Sequence, residues 1–166
     1  KSDLSHVPVK DEQQLSLYCY QVAGTVGVMF SHISGVSEAG ALRAAMHLGM
    51  AMQLTNISRD VMTDFENKRC YLPENWLDDV KLKPLSNEMK ERPDLAFKVV
   101  ERVLGWADQC YEIGNVGIHH LPLRVAFAVQ AASNIYRDIG RLVRDRRDKS
   151  WEQRLWVSTP RKLYLV

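Results

Sequence analysis

No apolar run in this chain approaches the ~18 residues that a membrane-spanning helix requires. Cysteine is scarce. Cys19, Cys70 and Cys110 are odd in number and show no metal-ligand spacing, which excludes a disulfide framework and a zinc cluster. They read as small core residues of a protein kept in a reducing compartment. The formal net charge of +2 is too small to drive nucleic-acid binding. No Val/Ile/Thr alternation signals a strand, and neither an internal repeat nor a low-complexity tract occurs. The opening "KSDLSHVPVKDEQQ" carries neither an apolar signal-peptide core nor an initiator Met, so it does not define the natural start of the protein.

What the chain does have is helical periodicity. With 166 residues, 46% hydrophobic and 25% charged, it suits one domain with a real core. Asp11 and Gln14 form a capping-box-like pair ahead of a helix over Glu12–Ser31, where Leu15, Cys19, Val22, Val26 and Met29 or Phe30 recur at helical spacing. Gly24 and Gly27 weaken that helix and imply close approach by another element. Ser37 caps a long second helix to about Asn67, rich in Ala, Gly and Met in its first half. Pro73 starts a short helix carrying Trp76, and "VKLKPLSNEMKERP" reads as a surface loop or short helical turn. Pro93 opens a helix to about Gly114 or Ile118, Pro122 opens another, and Thr159-Pro160 starts a last short one. The expected class is all-α.

The polar residues closing the second helix carry the chemistry. In "QLTNISRDVMTDF", Asp60 and Asp64 lie one helical turn apart, with Asn56 and Gln53 on the turns before them. Like charges at this spacing repel, and buried carboxylates need a positive partner. Oxygen donors without His or Cys suit a hard cation such as Mg²⁺, which shares its remaining positions with water and phosphate. Arg59 adds a fork matched to phosphate oxygens. Two readings stay open on geometry: a solvated helix face, or a magnesium–diphosphate site.

Two stretches, "YCYQVAGTVG" (Tyr18 to Gly27) and "LGMAMQLTNISRDVMTDFENKRCYLP" (Leu48 to Pro73), resemble the squalene/phytoene synthase family. The segments "AASNIYRDIG" and "RLWVSTPRKLYLV" are similar to bacterial phytoene synthases. The resemblance implies an all-α bundle around a central cavity and head-to-head condensation of two prenyl diphosphates, geranylgeranyl diphosphate giving phytoene. It implies Mg²⁺ (Mn²⁺ as an alternative) without NADPH, and no nucleic acid. It places Asp60 and Asp64 as the second Asp-rich motif, with Asn56 assisting the metal. Gln53 and Arg59 would meet diphosphate or metal-bound water, and Tyr136 and Arg154 the diphosphate region. Tyr18 would act in proton removal or cation stabilisation, while Val22, Ala23 and Gly27 would line the prenyl pocket.

The chain departs from the family pattern in three places. Thr63 stands where many relatives carry an acid, and Lys68 where Gly is common, so a positive-φ turn there would be strained. Nothing from Lys1 to Leu17 supplies the first Asp-rich motif, so the expectation is the C-terminal part of a single domain, inactive or nearly so alone, with apolar faces left bare. His119-His120 lacks further metal spacing, and the arginines from Arg137 to Arg147 read as a solvated helix end. Trp106, Tyr111 and Phe127 read as core. Trp151, Trp156, Tyr164 and Leu165 suit either tail docking or peripheral membrane contact. The resemblance to bacterial relatives implies a cytoplasmic protein, with any such contact at the inner face of the membrane and association with other carotenoid-pathway enzymes. Competing classes are squalene or dehydrosqualene synthesis from farnesyl diphosphate, a non-catalytic helical assembly module, and a metal-dependent phosphohydrolase.

Overall fold

A computed structural model describes residues 9–151, 155 and 157–161. Among these the chain is helical without a strand. Asp11 caps α1 (Glu12–Cys19) by accepting from the Gln14 N–H at 2.9 Å, and Gln14 returns a bond to the Lys10 N–H at 3.0 Å. The helix expected to run unbroken to Ser31 instead passes through a π-helical segment, Tyr20–Gly24, before α2 (Thr25–Ile33). The wider turn carries an extra residue and rotates everything after it. Leu15 and Cys19 are therefore core, whereas Val26, Met29 and Phe30 are roughly half exposed.

The long second helix begins one step later than its Ser37 expectation. Glu38 caps α3 (Ala39–Arg59) by accepting from the Gly40 N–H. It also breaks at Asp60, whose φ and ψ of −99° and 14° leave helical geometry, before α4 (Val61–Glu66). Thr55 and Ser58 donate their hydroxyls to the Ala51 and Leu54 carbonyls, each at 2.9 Å, a back-bonding that bends helices. Hydrogen bonds from Asp60 N–H to the Asn56 carbonyl and from Asp64 N–H to the Asp60 carbonyl span the break, so the backbone keeps the two residues one turn apart.

Then follow α5 (Glu74–Asp79), α6 (Glu88–Glu91), α7 (Pro93–Asn115), a 3₁₀ turn (Ile118–His120), α8 (Leu123–Arg146) and a second 3₁₀ turn (Arg147–Trp151). Thr159, Pro160 and Arg161 are helical, where the last helix was expected. The 80–93 stretch is not wholly a surface loop, because Leu82 and Met89 are buried. Helix α3 is central: α7, the π segment with α2, and α8 all pack on it. That explains its buried residues on every side, from Ala41 and Leu48 to Leu54 and Ile57. The Tyr111 hydroxyl meets Thr55 at 3.0 Å and ties α7 to α3, and Ser133 donates to Asn115 at 2.9 Å to tie α8 to α7.

The arginine-rich end of α8 is a solvated face in part: Arg141, Arg146 and Arg147 are exposed, whereas Arg137, Arg144 and Asp138 are at least partly buried. Arg144 bridges Glu101 and Asp108 on α7, Arg137 lies over the Tyr111 ring, and Arg147 over Phe97. Asp138 is buried and grips Arg161 through both carboxylate oxygens, at 2.6 and 2.7 Å. Trp151 docks inward, its indole N–H donating to the Ser58 carbonyl at 3.5 Å. Trp156, Tyr164 and Leu165 lie outside the described residues. Of the expected core aromatics Tyr111 is buried, Trp106 is half-buried, and Phe127 is 59% exposed. All three cysteines are buried and none is in a disulfide among the described residues, and burial pushes their thiols up to about 11 or 12. Among the described residues no helix is long and apolar enough to cross a membrane.

Candidate active site

The glycines that weaken the helices make the site possible. A Cβ at Gly49 of α3 would lie 2.3 Å from the Ala23 carbonyl oxygen, and one at Gly27 of α2 2.3 Å from that of Ala45. On the opposite flank, a Cβ at Gly117 would meet Ala44 at 2.4 Å, and one at Gly114 would meet Leu48 at 2.8 Å. Backbones approach α3 from both sides at distances only glycine permits. Between these contacts lies a cavity of about 400 Å³, within the range of small-molecule sites.

Its lining is almost wholly apolar. Among the described residues, the only polar side chains in it are Ser31, Gln53, Asn56 and the Tyr136 phenol. Along α3 the lining runs from Ala41 to Asn56, about 22 Å of helix at 1.5 Å per residue. Gln53 and Asn56 are its last α3 members, and Asp60 and Asp64 follow on the next two turns. One end of the groove is therefore greasy, and the other leads into charge.

At that charged end Arg59 donates Nε to Asp60 Oδ1 at 2.8 Å and Nη2 to Oδ2 at 2.5 Å, with both side chains largely buried, 12% and 21% exposed. The hydrogen bond to Asp60 raises the guanidinium above its usual range despite burial, and Tyr136 and Asp64 also act on it electrostatically. Asp64 is half-buried. Desolvation, then repulsion from Asp60, pushes its carboxyl up to about 6, against the pull of Arg69 and Arg59. Asp64 shares a small crevice with Arg69 and Tyr71, and Tyr18 stacks on Tyr71 at 4.8 Å.

Of the residues singled out from sequence, Val22, Ala23, Gly27, Gln53, Asn56 and Tyr136 line one cavity. Arg59, Asp60 and Asp64 cluster beyond its polar end, and Tyr18 joins that cluster through Tyr71 rather than lining the cavity. Arg154 lies outside the described residues. Sequence reasoning missed the α7–α8 wall of Gly114, Gly117, Leu121, Val129 and Ala132. The glycine pair in "GNVG" was its only signal. Lys68 has φ of 58°, so the expected strained turn is present. The His119 and His120 rings meet at a tilt of 36°, centroids 4.0 Å apart, and His120 faces Glu38 at 3.3 Å.

Among the described residues no three His, Cys, Asp or Glu side chains cluster as a complete metal cage. Two carboxylates and an amide fit an ion that keeps open positions for phosphate and water, as Mg²⁺ does.

The chain matches the family model "Squalene/phytoene synthase" over residues 1–162. It is 41% identical over 149 residues to the 15-cis-phytoene synthase of Enterobacter agglomerans, covering 90% of this chain and 50% of that protein. It is 38% identical over 149 residues to the phytoene synthase of Pseudescherichia vulneris, covering 90% and 48%. A crystal structure of a dehydrosqualene synthase in complex with ligand superposes with a TM-score of 0.87 at 28% identity, over 98% of this chain and 58% of that one. The chain spans about half the length of the curated relatives it matches.

Proposed function

The chain belongs to the squalene/phytoene synthase family, and from that premise we propose that it supplies one wall of a prenyltransferase joining two geranylgeranyl diphosphates head to head into phytoene. The observation that carries this reading is the cavity itself: apolar over its length, then Gln53, Asn56 and Tyr136 at its polar end, with Arg59, Asp60 and Asp64 beyond. A prenyl chain suits the first part and a diphosphate the second. Asp60, Asp64 and Asn56 would hold Mg²⁺, which when bound supplies positive charge to a departing diphosphate. Arg59 would take diphosphate oxygens in its fork. Val22, Ala23, Gly27 and the α7–α8 wall exclude water around the allylic cation left when the C–O bond breaks, so that the second substrate's double bond reaches it before water does. Each half-reaction releases one diphosphate and one proton, so no reductant is consumed. Tyr18, close to the carboxylates through Tyr71, is the candidate to steer that proton.

The test incubates the chain with geranylgeranyl diphosphate and Mg²⁺, both alone and joined to the N-terminal half of the Enterobacter agglomerans relative. The joined protein should yield phytoene, and Asp60→Asn or Asp64→Asn should remove it. The chain alone should yield little, since it presents one carboxylate pair for two diphosphates. Turnover unchanged in the Asn variants would refute the metal assignment. Diphosphate release without hydrocarbon would indicate a phosphohydrolase, and product from farnesyl diphosphate only would indicate squalene or dehydrosqualene synthesis.

A further inference from the structure

Arg59 and Asp60 are sequence neighbours, and neighbours on a regular helix project about 100° apart without facing each other. Here they face. The break at Asp60, with φ of −99° and ψ of 14°, turns its carboxylate back onto the preceding guanidinium. The result is a two-pronged, charge-assisted pair, 2.8 and 2.5 Å, in a largely buried setting. Each oxygen of Asp60 therefore already accepts one charge-assisted hydrogen bond, which leaves it a second lone pair. Asp64, one turn on, lies against Arg69 and Tyr71 in its crevice, where Arg69 and Arg59 act on it electrostatically.

We infer that Arg59 is a positioning residue that latches Asp60, so that a divalent cation alone binds weakly and a diphosphate, by drawing the Arg59 fork onto its own oxygens, releases Asp60 to the metal. This rests on the assignment of Asp60 and Asp64 to metal under the proposed function. A cation arriving by itself meets a carboxylate already neutralised by the guanidinium that faces it, and it can chelate both oxygens only by displacing that fork. A diphosphate offers that guanidinium equivalent oxygens, so the exchange costs little. By linkage the coupling is reciprocal: whatever factor the diphosphate contributes to metal affinity, the metal contributes to diphosphate affinity. The consequence is ordered loading. The site fills with metal when a diphosphate is present to be ionised, and otherwise stays neutralised from within.

The test measures Mn²⁺ binding to the full chain by electron paramagnetic resonance of the free ion, and retention of radiolabelled inorganic pyrophosphate by equilibrium dialysis with and without Mn²⁺. Arg59→Gln should tighten Mn²⁺ alone by on the order of tenfold and shrink the Mn²⁺ dependence of pyrophosphate retention. Arg59→Lys, which keeps the charge but loses the fork, should also tighten Mn²⁺ alone, and Asp60→Asn added to either variant should abolish the gain. Unchanged Mn²⁺ affinity in Arg59→Gln would overturn the latch. So would tightening in Arg59→Gln but none in Arg59→Lys, because that pattern is long-range charge alone. In both of those outcomes, wild-type pyrophosphate retention that still needs Mn²⁺ leaves the metal–diphosphate assignment standing. Absence of Mn²⁺-dependent retention in every form would sink that assignment and the latch together.

Discussion

Adding one methyl group at Gly49 should separate the two helices that frame the cavity. The Cβ would sit 2.3 Å from the Ala23 carbonyl oxygen, 2.8 Å from its carbon and 3.2 Å from the Gly24 nitrogen. All three are backbone atoms, so no side chain can rotate away. Relief requires the π segment and α3 to part by roughly 1 Å, and overpacking of this kind costs about 1–3 kcal/mol. The clash is backbone on backbone and falls in the upper part of that range, about 2–3 kcal/mol; alanine regains about 1 kcal/mol of helix propensity over glycine, which leaves a net loss of about 1–2 kcal/mol. For a chain of this size that lowers the melting temperature by about 3–6 °C. Gly105 is the control: it lies inside α7, and a Cβ there meets nothing within 4 Å. Gly105→Ala should therefore raise the melting temperature, by about 2 °C. Thermal denaturation of both variants followed by circular dichroism decides. Gly49→Ala melting at or above wild type would refute the close-approach argument and with it the rigidity of the cavity wall.

Lys68, held at φ of 58°, should accept glycine with a gain of about 0.5–1 kcal/mol in chemical denaturation; a loss would show that the turn is not strained. Arg161→Ala leaves the buried Asp138 carboxylate without its bidentate partner and should destabilise the chain at neutral pH, whereas Arg161→Ala with Asp138→Asn should recover much of the loss. Equal melting of the single and double variants would contradict this. The Asp64 carboxyl, pushed from 3.8 up to about 6 by burial and by Asp60, binds its proton more readily folded than unfolded. Its contribution in the metal-free chain therefore favours folding as pH falls from 6 toward 4 and is lost as pH rises through 6. Because the metal competes with that proton, stabilisation by Mg²⁺ in the presence of pyrophosphate should be present at about pH 7.5 and largely gone at about pH 5, read as the melting shift on adding Mg²⁺ to the pyrophosphate-containing chain. A shift equal at both would remove Asp64 from the ligand set.

The capped helix starts were legible because their signals are local. Asp11 with Gln14, Pro93 at the first turn of α7 and Pro122 ahead of α8 each act on backbone groups within a turn. The breaks inside helices were harder to see. A π segment over Tyr20–Gly24 and a bend at Asp60 leave i, i+3, i+4 periodicity nearly intact while redirecting side chains. Thr55 and Ser58, whose hydroxyls bend α3, look like ordinary small residues in sequence. The pocket residues on α2 and α3 were identifiable by resemblance to the family motifs. The wall from α7 and α8 was not, because Gly117, Leu121, Val129 and Ala132 are ordinary packing residues until the fold gathers them. The same holds for Asp138: on an arginine-rich helix end it reads as solvated, and only tertiary packing shows it buried against Arg161.

The most direct measurement is a crystal structure of the chain with Mn²⁺ and a thio-diphosphate analogue of geranylgeranyl diphosphate, located by anomalous scattering. The account predicts a manganese peak shared by Asp60, Asp64 and diphosphate oxygens, with the prenyl chain running from Asn56 past Gly49 toward Ala41. A prenyl chain bound elsewhere, or Asp60 and Asp64 turned to water with no manganese between them, would contradict it.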